Sequence, residues 1–161
     1  MQPSYKHYLK IIKNTCTGHE GPVTIPSEEL ADLARLAEEH CTVPFVLSSF
    51  RGTPFYSSML QRTRSMMLNY YQIEQFTRHT VSLLEDNGID CILLKGISLA
   101  SCYPVPEYRK LGDLDLYISR KSDISKAQKL LESHGYIAEN ELSDHHLTYH
   151  YTFPKTGRRF L

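Results

Sequence analysis

From about Phe55 to Asp86 the chain carries one uninterrupted helical pattern: Met59, Met66, Tyr70, Ile73, Thr77, Val81 and Leu84 recur at three- to four-residue steps, and Asn87-Gly88 stops it. A stripe rich in Met and Tyr suits a ligand groove as well as a core, but an apolar stripe on a helix this long is first of all a core face. The rest of the chain is therefore expected to pack against it.

Two shorter helices precede it. YKHYLKIIK at 5–13 sets Tyr5, Tyr8, Leu9 and Ile12 on one side and lysines on the other. PSEELADLARLAEEH offers Ser27 as an N-cap, acids in the first turn, and Leu30, Leu33, Ala34 and Ala37 along a stripe. Between Thr42 and Pro54, two prolines and a glycine mark a boundary, so residues 1–54 form a helical cover or subdomain and 55–161 the core domain.

After the long helix the pattern changes. IDCILL, between Gly88 and Gly96, is a buried strand over 90–94, and ISLASCY is one or two turns of helix before Pro104. The loop VPEYRKLG leads to a strand DLDLYI over 113–118, then to a helix around DISKAQKLLESHG that Gly135 terminates. A strand at 136–138 and a hairpin from His146, turning at Pro154-Lys155-Thr156-Gly157, close the sequence. The expected class is α+β, a small mixed sheet with a helical N-terminal part.

A chain of 161 residues that is 41% hydrophobic can enclose a real core. Eighteen basic residues balance eighteen acidic ones, so no global field draws it to nucleic acid or an anionic membrane; a polyanionic ligand has to be held locally. Cys16, Cys41, Cys91 and Cys102 have no zinc or C-x-x-C spacing. With no signal-peptide core and no run of the ~20 apolar residues that span a bilayer, a soluble cytoplasmic protein is expected.

The chemistry concentrates in LLKGISLASCYPVPEYRKLGDLDLYI, residues 93–118. Residues two apart on a strand share a face, so Asp113 and Asp115 project side by side while Leu114 and Leu116 turn to the core. Two close carboxylates repel until protonated, paired with a base, or bridged by a divalent cation, and hard oxygen donors suit magnesium, with manganese a second choice. Gly96, between strand and helix, lets backbone N–H groups approach phosphate oxygens; Ser98 adds a hydroxyl, and Lys95 and Arg109 add positive charge. Either motif alone is a common surface pattern. Their order, from buried strand through Gly turn, short helix and basic loop to acid-bearing strand, carries the reading.

These residues, LLKG-IS-LA followed by Tyr, Arg and GDLDLYI, resemble the nucleotidyltransferase superfamily with the DNA polymerase beta-type fold. Its pattern is a hydrophobic residue, Gly, then Gly or Ser, and some ten or more residues later Asp, a hydrophobic residue, and Asp or Glu. Within it the stretch most resembles a bacterial, uncharacterised nucleotidyltransferase family with Lys-Gly at the turn and Arg shortly before the acid pair, over about residues 56–161. The resemblance implies transfer of a nucleoside monophosphate from a nucleoside triphosphate such as ATP to an unknown acceptor, a small molecule or a protein. Asp113 and Asp115 would be the catalytic and metal-holding residues, and Lys95, Gly96, Ser98 and Arg109 would bind the nucleotide. Ile97 stands where Gly or Ser is usual, and the third carboxylate of the superfamily is expected on a strand past Leu161. A catalytically degenerate module that binds nucleotide or protein is the alternative.

His146 and His150 would share a strand face with alpha carbons ~13 Å apart, too far to ligate one ion without a bend; His146 is instead expected to line the nucleotide pocket. Cys102 lacks a local histidine and is assigned to packing. Reading Asp113-Leu114-Asp115 as the D-x-D of a nucleotide-sugar glycosyltransferase would need alternating strands and helices before it, where this sequence is almost wholly helical.

Overall fold

The structure, a computed structural model, describes residues 3–18, 23–139, 147–154 and 157–160. Its helices are α1 Pro3–Thr17, α2 Leu30–Glu39, α3 Val43–Val46, α4 Tyr56–Glu85, α5 Gly96–Ala100 and α6 Lys121–Ser133, with 3-10 turns at Ser27–Glu29, Leu47–Phe50 and Pro106–Tyr108. Its strands are β1 Cys91–Leu94, β2 Asp115–Ile118, β3 Ile137–Ala138, β4 Tyr149–Thr152 and β5 Arg159–Phe160. The protein is α+β with a helical N-terminal part. The strands form two sheets, β1-β2 and β3-β4-β5, in which each pair is antiparallel.

The chain divides into two compact units. The first comprises Met1–Tyr71 and Leu99–Lys110. Its core gathers Tyr8 and Ile11 of α1, Leu33, Leu36 and Ala37 of α2, Val43 and Val46 of α3, then Phe50 and Met59. The 3.6-residue period of each short helix puts these apolar positions on one face, and burying them against each other is what holds helices too short to persist alone. Ser27 does not cap α2: the chain enters through a 3-10 turn from Pro26 with no side-chain capping bond. The proline's fixed φ starts the turn where a capping hydroxyl was expected. The 99–110 segment is fastened by its aromatics, Tyr108 standing edge-on to Phe45 with ring centres 5.4 Å apart and Tyr103 tilted against it at 6.1 Å. Glu107 accepts a 2.6 Å hydrogen bond from Tyr71, which holds its carboxyl below the ordinary range.

The second unit comprises Gln72–Ser98 and Leu111–Leu161. One core packs Leu84, Ile89 and Ala127 with Cys91, Leu116, Ile118, Leu130 and Leu131, so the end of α4 and the inner face of α6 cover one side of the β1-β2 pair. A second is aromatic: Phe76 stacks on Phe160 at 4.9 Å, and Tyr136 on Tyr151 at 4.6 Å. The Tyr136 hydroxyl and Thr80 Oγ1 lie 2.8 Å apart, and since Thr80 donates to the Phe76 carbonyl, Tyr136 is the donor. Burial pushes this phenol up to about 12, the Thr80 bond opposing in part. Gly135, at φ +86, closes α6 as the sequence predicts.

Candidate functional site

The β1-β2 pairing sets Cys91 opposite Ile118, Leu93 opposite Leu116, Ile92 opposite Tyr117 and Leu94 opposite Asp115. Directly opposed residues of an antiparallel pair share a face. Cys91, Leu116 and Ile118 belong to the core, so alternation turns Ile92, Leu94, Asp115 and Tyr117 outward; Ile92, Leu94 and Tyr117 are 54%, 42% and 53% exposed. The strand begins at Asp115, not at 113 as the sequence suggests. Asp113 lies in the segment leading into it, past Gly112, with no ladder partner.

The register decides the geometry of the site. Because Leu94 is opposite Asp115, the next residue leaves β1 beside that acid, and Lys95 Nζ stands 2.9 Å from Asp115 Oδ2. Lys95 is at φ +29 and Gly96 at φ +45, two successive residues in left-handed backbone that turn the chain from strand into α5. Glycine takes such a conformation without cost, whereas lysine there stores strain of order 1 kcal/mol. A Cβ added at Gly96 would meet the Asp113 carbonyl oxygen at 3.6 Å, so the turn and the acid segment run side by side. Ser98 closes the turn: its Oγ donates to the Lys95 carbonyl at 2.6 Å and its N–H to the same oxygen at 2.9 Å.

Asp115 Oδ2 is withdrawn from solvent, and the Lys95 ammonium at 2.9 Å is its ion-pair partner. The hydrogen bond to Asp115, then that residue's charge and more weakly that of Asp113, holds the lysine above its ordinary value. Carboxylate oxygens are the kind of donor that suits a hard divalent cation, and Asp115, with Asp113 two residues earlier, would supply them. Among the described residues no group of three or more His, Cys, Asp and Glu gathers for a metal.

Every residue from Asp113 to Ile118 lines a cleft of about 760 Å³, which means that the edge of β2 away from β1 opens onto it. Gln128, Tyr136 and Tyr149 line it as well. Its volume lies within the ~300–1,000 Å³ of small-molecule sites.

The structure thus brings Lys95, Gly96, Asp113 and Asp115 together, with Ser98 in the same turn. Arg109 belongs to the first unit, where its Nη1 donates to Tyr103 Oη at 3.1 Å and its guanidinium lies 5.5 Å from the centre of that ring. His145 and His146 lie outside the described residues. His150, on β4, sets Nδ1 2.9 Å from Arg159 and 3.5 Å from Glu139. Sequence reasoning missed Tyr117, whose position two residues after Asp115 already placed it on the acid-bearing face.

The model of a family described as uncharacterised nucleotidyltransferase matches residues 26–160. The chain belongs to that family. The match takes in Lys95, Gly96, Ser98, Arg109, Asp113 and Asp115, and a nucleotide is the substrate class that the nucleotidyltransferase family suggests. Comparison with curated proteins and with solved structures gives no match. Among the described residues no helix is long and apolar enough to cross a membrane.

Proposed function

We propose that this nucleotidyltransferase-family chain transfers a nucleoside monophosphate from a nucleoside triphosphate to an acceptor oxygen, with magnesium held by Asp113 and Asp115. The acceptor oxygen forms a bond to the α-phosphorus, and the bond from that phosphorus to the pyrophosphate oxygen breaks. Magnesium, when bound, supplies neutralising charge to the triphosphate. Asp113 and Asp115 hold and orient that charge; the Gly96 turn, free of a side chain, admits phosphate oxygens; Lys95 adds a mobile cation. The cleft along β2 has room for a nucleoside.

The observation that supports this reading is the register of Leu94 on Asp115, which brings the Lys95-Gly96 turn against Asp115. Calorimetric titration with ATP, GTP, CTP and UTP in magnesium tests it. At least one nucleotide should bind, and the Asp113→Ala, Asp115→Ala double variant should bind none. Absence of binding to all four overturns it.

A second reading, a module that binds nucleotide without transferring it, draws on Ile97 at the turn and on the Ser98 hydroxyl donating to Lys95. Nucleotide binding with no pyrophosphate release across a range of acceptors would favour it.

A further inference from the structure

Lys95 differs from an ordinary surface partner in three ways. It occupies left-handed backbone although it is not glycine. Its side chain is 65% exposed, yet its ammonium is directed at a carboxylate oxygen withdrawn from solvent. And what holds it there is a single 2.9 Å contact to that oxygen, an ion pair that a divalent cation and a new anion can replace between them. Residues kept in sparsely populated backbone cluster at functional sites, where the surrounding fold over-determines them. Here the over-determination is visible: the β1-β2 register fixes Leu94 against Asp115, and two hydrogen bonds from Ser98 pin the Lys95 carbonyl, leaving the side chain over the acids.

Resting on the metal site proposed above, we infer that Lys95 is a resident counter-ion: it occupies a cation's place on Asp115 until metal and triphosphate arrive together, and then passes to the triphosphate. A divalent ion that comes alone has to displace the ammonium and leaves it facing water. An ion that comes with a triphosphate brings a new anion for the displaced ammonium. Metal and nucleotide therefore bind cooperatively, each raising the affinity of the other by the same factor. The acid pair is also kept from trapping free divalent ions in the nucleotide-free protein.

The test is Mn²⁺ binding, read from the electron paramagnetic resonance signal of free Mn²⁺, to the parent, Lys95→Met, Lys95→Arg and the Asp113→Asn, Asp115→Asn double variant. Without nucleotide, Lys95→Met should bind Mn²⁺ about two- to five-fold more tightly, the range set by exposed ion pairs, and Lys95→Arg should stay near the parent. With ATP present the advantage should vanish, because the variant loses the cooperativity between metal and nucleotide. Equal or weaker Mn²⁺ binding by Lys95→Met, or an undiminished effect of ATP on it, overturns the inference. If the double asparagine variant binds Mn²⁺ as the parent does, the metal site itself is wrong, a result separable from the failure of the lysine's role. In the unaltered protein labelled with ¹⁵N-lysine, saturating Mg²⁺ should move the Lys95 ammonium resonance; a stationary signal counts against displacement whatever the variants do.

Discussion

The core of the first unit and the β1-β2 pair of the second treat their apolar side chains differently. In the first, short helices α1, α2 and α3 turn inward, and Leu33, Val46, Phe50 and Met59 are almost wholly removed from water. In the second, the β1-β2 pair buries one face and leaves Ile92, Leu94 and Tyr117 out beside Asp115, with a strained lysine over the acid. A two-stranded pair with one face in the core satisfies folding with its inner residues alone. Its outer face is then free to carry residues that folding would not choose, and that is where Asp115 lies. The contrast separates residues that hold the protein together from residues that it holds in place.

If that division is right, the largest loss of stability comes from the first unit and leaves the site untouched. Phe50→Ala removes a buried ring that also stands edge-on to Phe55 at 6.2 Å, and should cost about 3–5 kcal/mol in denaturant unfolding. Its folded fraction should keep the parent's response to magnesium. A metal response lost with Phe50 would mean that the two units are not separate in function.

Within the second unit, Tyr136 puts the structural role on a titratable group. Its folded-state value of about 12 lies above the ordinary 10, so the folded protein holds the phenolic proton more tightly. The stabilisation is fully present below pH 10 and is lost as pH rises from 10 toward 12, by at most about 2–3 kcal/mol. Tyr136→Phe should remove that alkaline decline. At neutral pH it should cost only about 1 kcal/mol, since Thr80 keeps its bond to the Phe76 carbonyl. Urea unfolding at pH 8 and pH 11 compares the two; an equal alkaline loss in parent and variant would place the ionising group elsewhere.

The acid pair should behave in the reverse way. Asp113→Ala with Asp115→Ala gives up a part-exposed ion pair with Lys95 but also the repulsion between two carboxylates, so the metal-free midpoint should shift by less than about 1 kcal/mol equivalent. What disappears is the rise in the midpoint with millimolar magnesium or manganese, which follows RT ln(1 + [L]/Kd) and amounts to about 1.4 kcal/mol at tenfold excess over Kd. Strong destabilisation without metal, together with a parent indifferent to magnesium, would assign both aspartates to the scaffold.

How far the sequence showed this depends on the kind of constraint. The long helix and α6 were legible because their periodicity is repeated over several turns; β1 was expected as a buried strand, but its apolar run turns Ile92 and Leu94 out to solvent. The Lys-Gly turn was legible as a turn, since a glycine between an apolar strand and a helix is where the chain has to change direction. The register was not legible. No local signal states that Leu94 pairs with Asp115, because pairing is chosen by packing of Cys91, Leu116 and Ile118 on residues as distant as Leu84 and Leu131. The start of β2 was misplaced for a related reason: alternation continues through Asp113, while the ladder has no partner for it. Nor does a lysine in left-handed backbone announce itself, since the conformation is imposed by the turn and not preferred by the residue.

The smallest effect tests that last point directly. At φ +29 any side chain with a Cβ is strained, and glycine alone escapes it. Lys95→Ala and Lys95→Gly both delete the ammonium, so both lose the ion pair with Asp115 and differ only in the backbone. On an ordinary exposed site alanine would be the more stable, because glycine loses more conformational freedom on folding. Here the order should invert, with Lys95→Gly more stable than Lys95→Ala by about 1 kcal/mol in urea unfolding. Both should share the tighter Mn²⁺ binding of Lys95→Met. An alanine variant as stable as glycine would remove the strain from the account of this turn and leave Lys95 a plain surface cation, placed beside Asp115 by the register alone.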